Sequence, residues 1–130
     1  MDKLPVLSHV SLGTNDFPRA KRFYDAVLAT LDLKCVMEFD QGAGYGRRNL
    51  PEFWIQLPFD GQAANPGNGS HICFNAASME QVKAFHRTAL ELGGEDDGKP
   101  GLRKEYSDSY YAAFVRDPDG NKIEAMFWVK

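Results

Sequence analysis

Apolar and polar residues alternate from Val6 to Leu12, with Val6, Val10 and Leu12 on one face and Leu7, His9 and Ser11 on the other. A period of two predicts a strand. Gly13-Thr14-Asn15-Asp16 breaks the alternation and supplies cap residues, and Pro18 suits a first helical turn. From there Phe17, Ala20, Phe23, Tyr24, Val27, Leu28 and Leu31 recur at helical spacing. Strand-like stretches follow at 34–39, 43–48 and 53–57, the last two separated by Asn49-Leu50-Pro51. The first half therefore reads strand, helix, strand, strand, strand.

Residues 61–69 are rich in glycine, asparagine and proline and read as a linker. The pattern then starts again. Residues 70–76 alternate, with Ile72, Phe74 and Ala76 facing one way and His71, Cys73 and Asn75 the other. Ser78 and Gln81 make a capping box, and Met79, Val82, Phe85, Ala89 and Leu90 line a helical face that Gly93-Gly94 ends. Strands return at 110–115 and 122–129, joined by the turn Asp117-Pro118-Asp119-Gly120. A shift of 62 positions lays Ser8-His9-Val10 over Ser70-His71-Ile72, Lys21 over Lys83, Phe23 over Phe85 and Leu28 over Leu90. With a small change of offset, Ile55-Gln56-Leu57 falls on Ile123-Glu124-Ala125. Matching residue type, element order and strand parity together predict two copies of a βαβββ unit. The expected fold is α+β, with two βαβββ modules forming a cup-shaped, partly closed mixed sheet and the helices outside. One domain is expected over residues 1–130, with module one at about 5–60 and module two at about 69–130.

Composition narrows the partners. The chain has 130 residues, room for one hydrophobic core, and a formal net charge of −3 with its basic residues scattered. That balance argues against nucleic acid and anionic membrane, and no apolar run is long enough to span a bilayer. The N-terminal residues lack a charged-then-apolar signal pattern, so the cytoplasm is the expected location. Cys35 and Cys73 have no metal or redox spacing and sit in apolar strand segments, so both are expected to be buried and reduced.

Each repeat carries a histidine on its first strand, His9 or His71, and an amide or acid on its last, Gln56 or Glu124. The histidines occupy the less apolar face of their strands, which implies a cavity on the side away from the helix. Glu124 shares a face with Met126 and Trp128, and burying a carboxylate there is costly unless a positive group meets it. A single strand histidine is usually structural, and a single C-terminal glutamate is usually solvated. Two histidines at equivalent positions with a matching glutamate point instead to one divalent metal, Zn, Ni, Mn or Fe, with open positions for water or substrate. Gln56 can ligate through its amide oxygen or hydrogen-bond to a bound water or substrate.

The stretches His-Val-Ser-Leu-Gly at 9–13, Arg-Phe-Tyr at 22–24 with Leu28, Gly-Ser-His-Ile at 69–72 and Asp-Pro-Asp-Gly-Asn-Lys-Ile-Glu at 117–124 together resemble the vicinal oxygen chelate superfamily. That superfamily comprises glyoxalase I, bleomycin-resistance proteins, methylmalonyl-CoA epimerase and extradiol dioxygenases. The resemblance implies paired modules around a metal whose open positions bind neighbouring substrate oxygens, and a homodimer with metal sites in the cups or at the subunit interface. The glyoxalase I ligand pattern falls on His9, Gln56, His71 and Glu124, with Gln56 standing where bacterial glyoxalases I have Glu. A lyase or isomerase like lactoylglutathione lyase is the activity implied, with Glu124 as ligand and proton shuttle. Two alternatives stay open: an Fe(II) extradiol-type dioxygenase, and a non-catalytic binding protein of the bleomycin-resistance kind. The dioxygenase normally adds further site histidines, and the one other histidine, His86, is expected at the surface or in packing. Gln41-Gly42 resembles the ligand-bearing strand of the epimerase, at a shorter spacing from His9.

Around the site, Arg103, Tyr106 and Tyr110 form a candidate rim for an anionic or phenolic small-molecule substrate, with a solvated loop as the alternative. Trp54, Met126 and Trp128 are candidate pocket-lining residues, each of which also suits an ordinary core. Arg47-Arg48 reads as a solvated strand edge.

Overall fold

The computed structural model describes residues 4–130. Strand β1 (Val10–Gly13) leads into helix α1 (Phe17–Ala29), followed by β2 (Lys34–Phe39), β3 (Gly42–Gly46) and β4 (Phe53–Gln56). The second unit repeats the order with β5 (Ile72–Asn75), α2 (Met79–Glu91), β6 (Glu95–Leu102), β7 (Tyr110–Arg116) and β8 (Lys122–Trp128). Each unit forms its own four-stranded mixed sheet, in the order β1-β4-β3-β2 and β5-β8-β7-β6. The same parallel pairing closes both, β1 with β4 and β5 with β8. The expected paired modules are present, and each is a separate sheet.

Local chemistry sets the helices. Asp16 caps α1 by accepting from the Arg19 amide, and Ser78 caps α2 by accepting from the Gln81 amide. Gln81 reaches back to the Ala77 amide, 2.8 Å away. The chain leaves α2 through Gly93 at φ 97°, in the left-handed region that favours glycine, and the Gly94 amide donates to Ala89 O at 2.8 Å. Buried residues of α1 are those expected from its spacing, except that Leu31 lies just beyond its end. On α2 the buried face is Val82, Phe85, His86 and Ala89, while Met79 and Leu90 are exposed.

One strand had no signal. β6 has the sequence Glu-Asp-Asp-Gly-Lys-Pro-Gly-Leu, without alternation, and its pairing with β7 shifts register at Asp96/Gly98 and Gly98/Gly101. It is an edge strand, where Pro100 and irregular pairing are tolerated.

A single apolar cluster joins the modules, running from Phe23, Tyr24 and Leu28 through Phe53 and Ile55 to Phe74, Phe85, Val115 and Ile123. Phe53 and Phe74 meet edge-on with centroids 5.2 Å apart. A polar seam reinforces the junction. The buried Tyr24 hydroxyl donates to Asp117 at 2.5 Å, Thr14 donates to Asp119 at 2.5 Å, and Asn121 Nδ2 donates to Gly13 O at 3.1 Å. Burial, with the adjacent Asp117 charge, pushes the Tyr24 phenol up, so it remains a donor. Arg47, far from being a free edge residue, bridges the modules by donating to Leu31 O and Asn75 O.

Candidate functional site

Alternation divides each strand between the core and an inner face turned away from the helices. On β7, Tyr111, Ala113 and Val115 join the core, while Ala112 and Phe114 pack with Met126 and Tyr110 on the inner face. Ladder register then orders that face into rows. Gly98, Phe114, Glu124 and Cys73 lie side by side across β6, β7, β8 and β5. Gly101, Ala112, Met126 and Asn75 form the next row, and Tyr110 stands opposite Trp128.

Glu124 is the chemical centre. It is only 2% exposed, among apolar neighbours, where an unpaired carboxylate would be strongly disfavoured. His71 Nε2 lies 2.9 Å from Oε1, and the Tyr110 hydroxyl donates to Oε2 at 2.6 Å. With the carboxylate ionised, the His71 Nε2 proton is the donor. Burial and the hydrogen bond to Glu124 both push the Tyr110 phenol well above its ordinary range, so it stays protonated. Cys73 is open to solvent, contrary to the burial expected of it, and its sulfur lies 3.9 Å from the Tyr110 hydroxyl. Although the residue as a whole is exposed, protein packed around the sulfur strips part of its water, and this with the nearby Glu124 charge pushes the thiol up to about 12. Both cysteines are free.

The candidate rim divides. Tyr106 meets Tyr110 edge-on at 5.1 Å, and Tyr110 meets Trp128 at 5.2 Å, giving one aromatic run beside Glu124. Arg103 leaves this group and lies over Phe114, its Cζ 5.4 Å from the ring centroid. Trp54 belongs to the other module, stacked on Phe39 with centroids 5.8 Å apart.

His9 and His71 line one cavity of about 340 Å³ between the modules, together with Arg47, Glu52, Phe53 and Cys73. The His9 ring contacts Ser8 Oγ at 3.0 Å and has no carboxylate partner among the described residues. Gln56 does not occupy the position equivalent to Glu124. Ser11 pairs with Trp54 as Cys73 pairs with Glu124, and Gly13 pairs with Gln56 as Asn75 pairs with Met126. The sequence overlay of Gln56 on Glu124 is thus displaced by two residues along the ladder, and Trp54 is the structural counterpart of the acid. Among the described residues, no group of three or more His, Cys, Asp or Glu side chains is assembled to hold a metal. His71 and Glu124 form one adjacent nitrogen–oxygen donor pair of the kind a divalent cation takes.

Sequence alone left Phe114 out of the site and, with His86 expected at the surface or in packing, gave that histidine no partner. Phe114, on the Glu124 row, was legible only as strand parity, four residues after Tyr110. His86 is buried, and its Nε2 pairs with Asp96 Oδ1 at 2.9 Å, a contact that depends on the unforeseen β6. The His86 hydrogen bond, more than the Gly98 amide, holds the Asp96 carboxyl down at about 2.

Residues 6–125 match the family model of the Glyoxalase/Bleomycin resistance protein/Dioxygenase superfamily. A glyoxalase/bleomycin resistance protein from Albidiferax ferrireducens T118 is similar at 40% identity and TM-score 0.87, covering 95% of this chain and 99% of that one. The fold is also similar to that of a glyoxalase-related enzyme from Fulvimarina pelagi, at 20% identity and TM-score 0.73 over 95% of this chain and 88% of that one. A V278E variant of glyoxalase I from Zea mays matches at 19% identity and TM-score 0.67, over 92% of this chain and 44% of that one. No curated protein matches the chain.

Proposed function

The chain belongs to the Glyoxalase/Bleomycin resistance protein/Dioxygenase superfamily, and from that premise we propose that it is a divalent-metal-dependent lyase or isomerase acting on a small substrate with vicinal oxygens. The observation that carries the reading is the buried Glu124 carboxylate, held between His71 and Tyr110 on an open face. The donor chemistry fits a metal, because His71 Nε2 and Glu124 Oε1 lie 2.9 Å apart and a shift of the imidazole proton to Nδ1 frees the Nε2 lone pair. His71 and Glu124 would hold it, with His9 as the third donor. His9 belongs to the other module and lines the same cavity as His71, and the proposed assembly is a homodimer. Gln56 is left out of the donor set because Trp54 takes the position that the ladder makes equivalent to Glu124.

When bound, the metal supplies Lewis acidity that favours negative charge on neighbouring substrate oxygens. The chain's own residues do the rest. Glu124 accepts a proton from the substrate carbon beside the carbonyl and returns it to the adjacent carbon. Tyr110 fixes Oε2, which leaves Oε1 as the oxygen that exchanges partners. Phe114, opposite Glu124 on the ladder, and Met126, packed in the same cluster, keep the surroundings of the carboxylate apolar, which strengthens its interactions with charge.

Elemental analysis of the purified protein tests this, alongside His9→Ala, His71→Ala and Glu124→Ala. The expected result is one Zn, Ni, Mn or Fe per chain, lost in each variant. Iron would direct the assay to oxygen uptake with catechols. One observation favours a second reading, non-catalytic binding of a small molecule: the described residues of one chain assemble no three-donor group. Wild-type protein that stays metal-free after reconstitution would overturn the enzyme reading and leave binding as the function.

A further inference from the structure

We propose that Arg103, held over the ring of Phe114, is an anion-binding subsite, and that the ligand of this protein carries a carboxylate at the end remote from the His71–Glu124 pair. The inference rests on the proposed function only for which end of the ligand reacts.

The guanidinium is fixed in place before any ligand arrives. Its Nη1 donates to Gly101 O at 2.9 Å and its Nη2 to Lys99 O at 2.7 Å, while Cζ lies 5.4 Å from the Phe114 centroid. The strand beneath it is bare at Gly98, where a side chain would not fit. A Cβ at Gly98 would stand 2.9 Å from the Phe114 ring and 3.0 Å from Nη2, whereas one at Gly101 would only touch Nη1 at an ordinary 3.5 Å. An arginine presents five N–H donors, so this one keeps several free after its two carbonyl contacts. Among the described residues no carboxylate pairs with it, so its charge is free for a ligand. Lys122 Nζ lies 5.0 Å from the same Phe114 ring and adds to the positive potential there, although it shares Asp97 at 3.7 Å.

Position then specifies the ligand. Phe114 pairs with Gly98 on one side and with Glu124 on the other. Arg103 therefore stands about two strand spacings, roughly 10 Å, from the Glu124 strand. Side chains reaching in from both ends shorten that gap to a short carbon chain. A small molecule with vicinal oxygens at one end and a carboxylate at the other spans it, and the planar fork of arginine matches that carboxylate. A ligand without the distal charge would leave the guanidinium unpaired beside the ring.

The test compares two probes, 2-oxoglutarate and 2-oxohexanoate, which share the oxo-acid end and differ in a far carboxylate or a far ethyl group. Both are titrated into the full-length protein by NMR, metal-free and Zn-loaded, following arginine side-chain and backbone amide signals. Wild type should bind 2-oxoglutarate about tenfold more tightly than 2-oxohexanoate, the worth of one charge-assisted contact at a half-open site. R103Q should erase that preference, and R103K, which keeps the charge and the stem but loses the fork, should retain part of it. Equal or absent binding of the two probes by wild type, or a preference that survives in R103Q, would overturn the subsite. A preference seen in metal-free protein that takes up no Zn would leave the subsite standing while the metal reading falls.

Discussion

The inner faces of the two modules are built on the same ladder and carry opposite contents. On the first, β3 contributes Gly42, Gly44 and Gly46, and Trp54 lies so flat on Gly44 that a Cβ there would come within 2.9 Å of the indole. On the second, β7 contributes Tyr110, Ala112 and Phe114, and the counterpart of Trp54 is Glu124. The core-facing halves of the strands remain alike because they meet the same demand, apolar packing under a helix. The inner halves pack under no helix. Alternation thus lets one module become an aromatic shelf and the other an acid–imidazole–phenol site without disturbing the shared fold.

Four experiments sharpen or break that asymmetry. The largest effect is expected from Glu124→Ala, which should lower Zn affinity by at least about 100-fold, while Gln56→Ala changes it by less than about threefold. Equilibrium dialysis measures both, and equal losses would make the two faces chemically equivalent. Gly44→Ala should come next. The new methyl meets Trp54 at 2.9 Å and Pro51 Cβ at 2.8 Å, and overpacking of this kind costs about 1–3 kcal/mol, read as a lower denaturation midpoint with altered tryptophan fluorescence. An unchanged midpoint would mean that the shelf yields freely. Tyr110→Phe removes the 2.6 Å donor to Glu124 and should weaken Zn binding about tenfold with the circular dichroism spectrum intact. No change would show that the phenol does not orient the carboxylate.

The smallest effect compares Cys73 with a thiol placed at its counterpart by Ser11→Cys. Cys73, pushed up to about 12, should react with iodoacetamide at a rate that climbs steadily between pH 8 and 10, although the residue is exposed. A raised value keeps the thiol protonated, so the nucleophile appears only as pH rises toward that value. The introduced thiol, opposite Trp54 instead of an acid, should level off above about 8.5. Parallel pH profiles would mean that the Glu124 side of the ladder leaves the sulfur unaffected.

The repeat, both helices and the buried faces of α1 and α2 were legible because each depends on short-range periodicity. Val27 must be buried wherever α1 packs, and a histidine and a glutamate on matching strand faces share a side of the sheet whatever the register. The edge strand β6 was not legible, because an edge needs no alternation and tolerates Gly98, Pro100 and two register shifts. With it went the burial of His86 against Asp96 and the seat of Arg103 over Phe114.

The sequence by itself determined two βαβββ units, their core faces and the side chains available for chemistry, since period and residue type are local properties of the chain. Only the tertiary structure decided which of those side chains meet. Ladder register placed Trp54, not Gln56, at the counterpart of Glu124, and a shift of two residues preserves the face of every side chain while moving its neighbours. Periodicity cannot detect that shift, because a strand displaced by two residues presents the same pattern to its core.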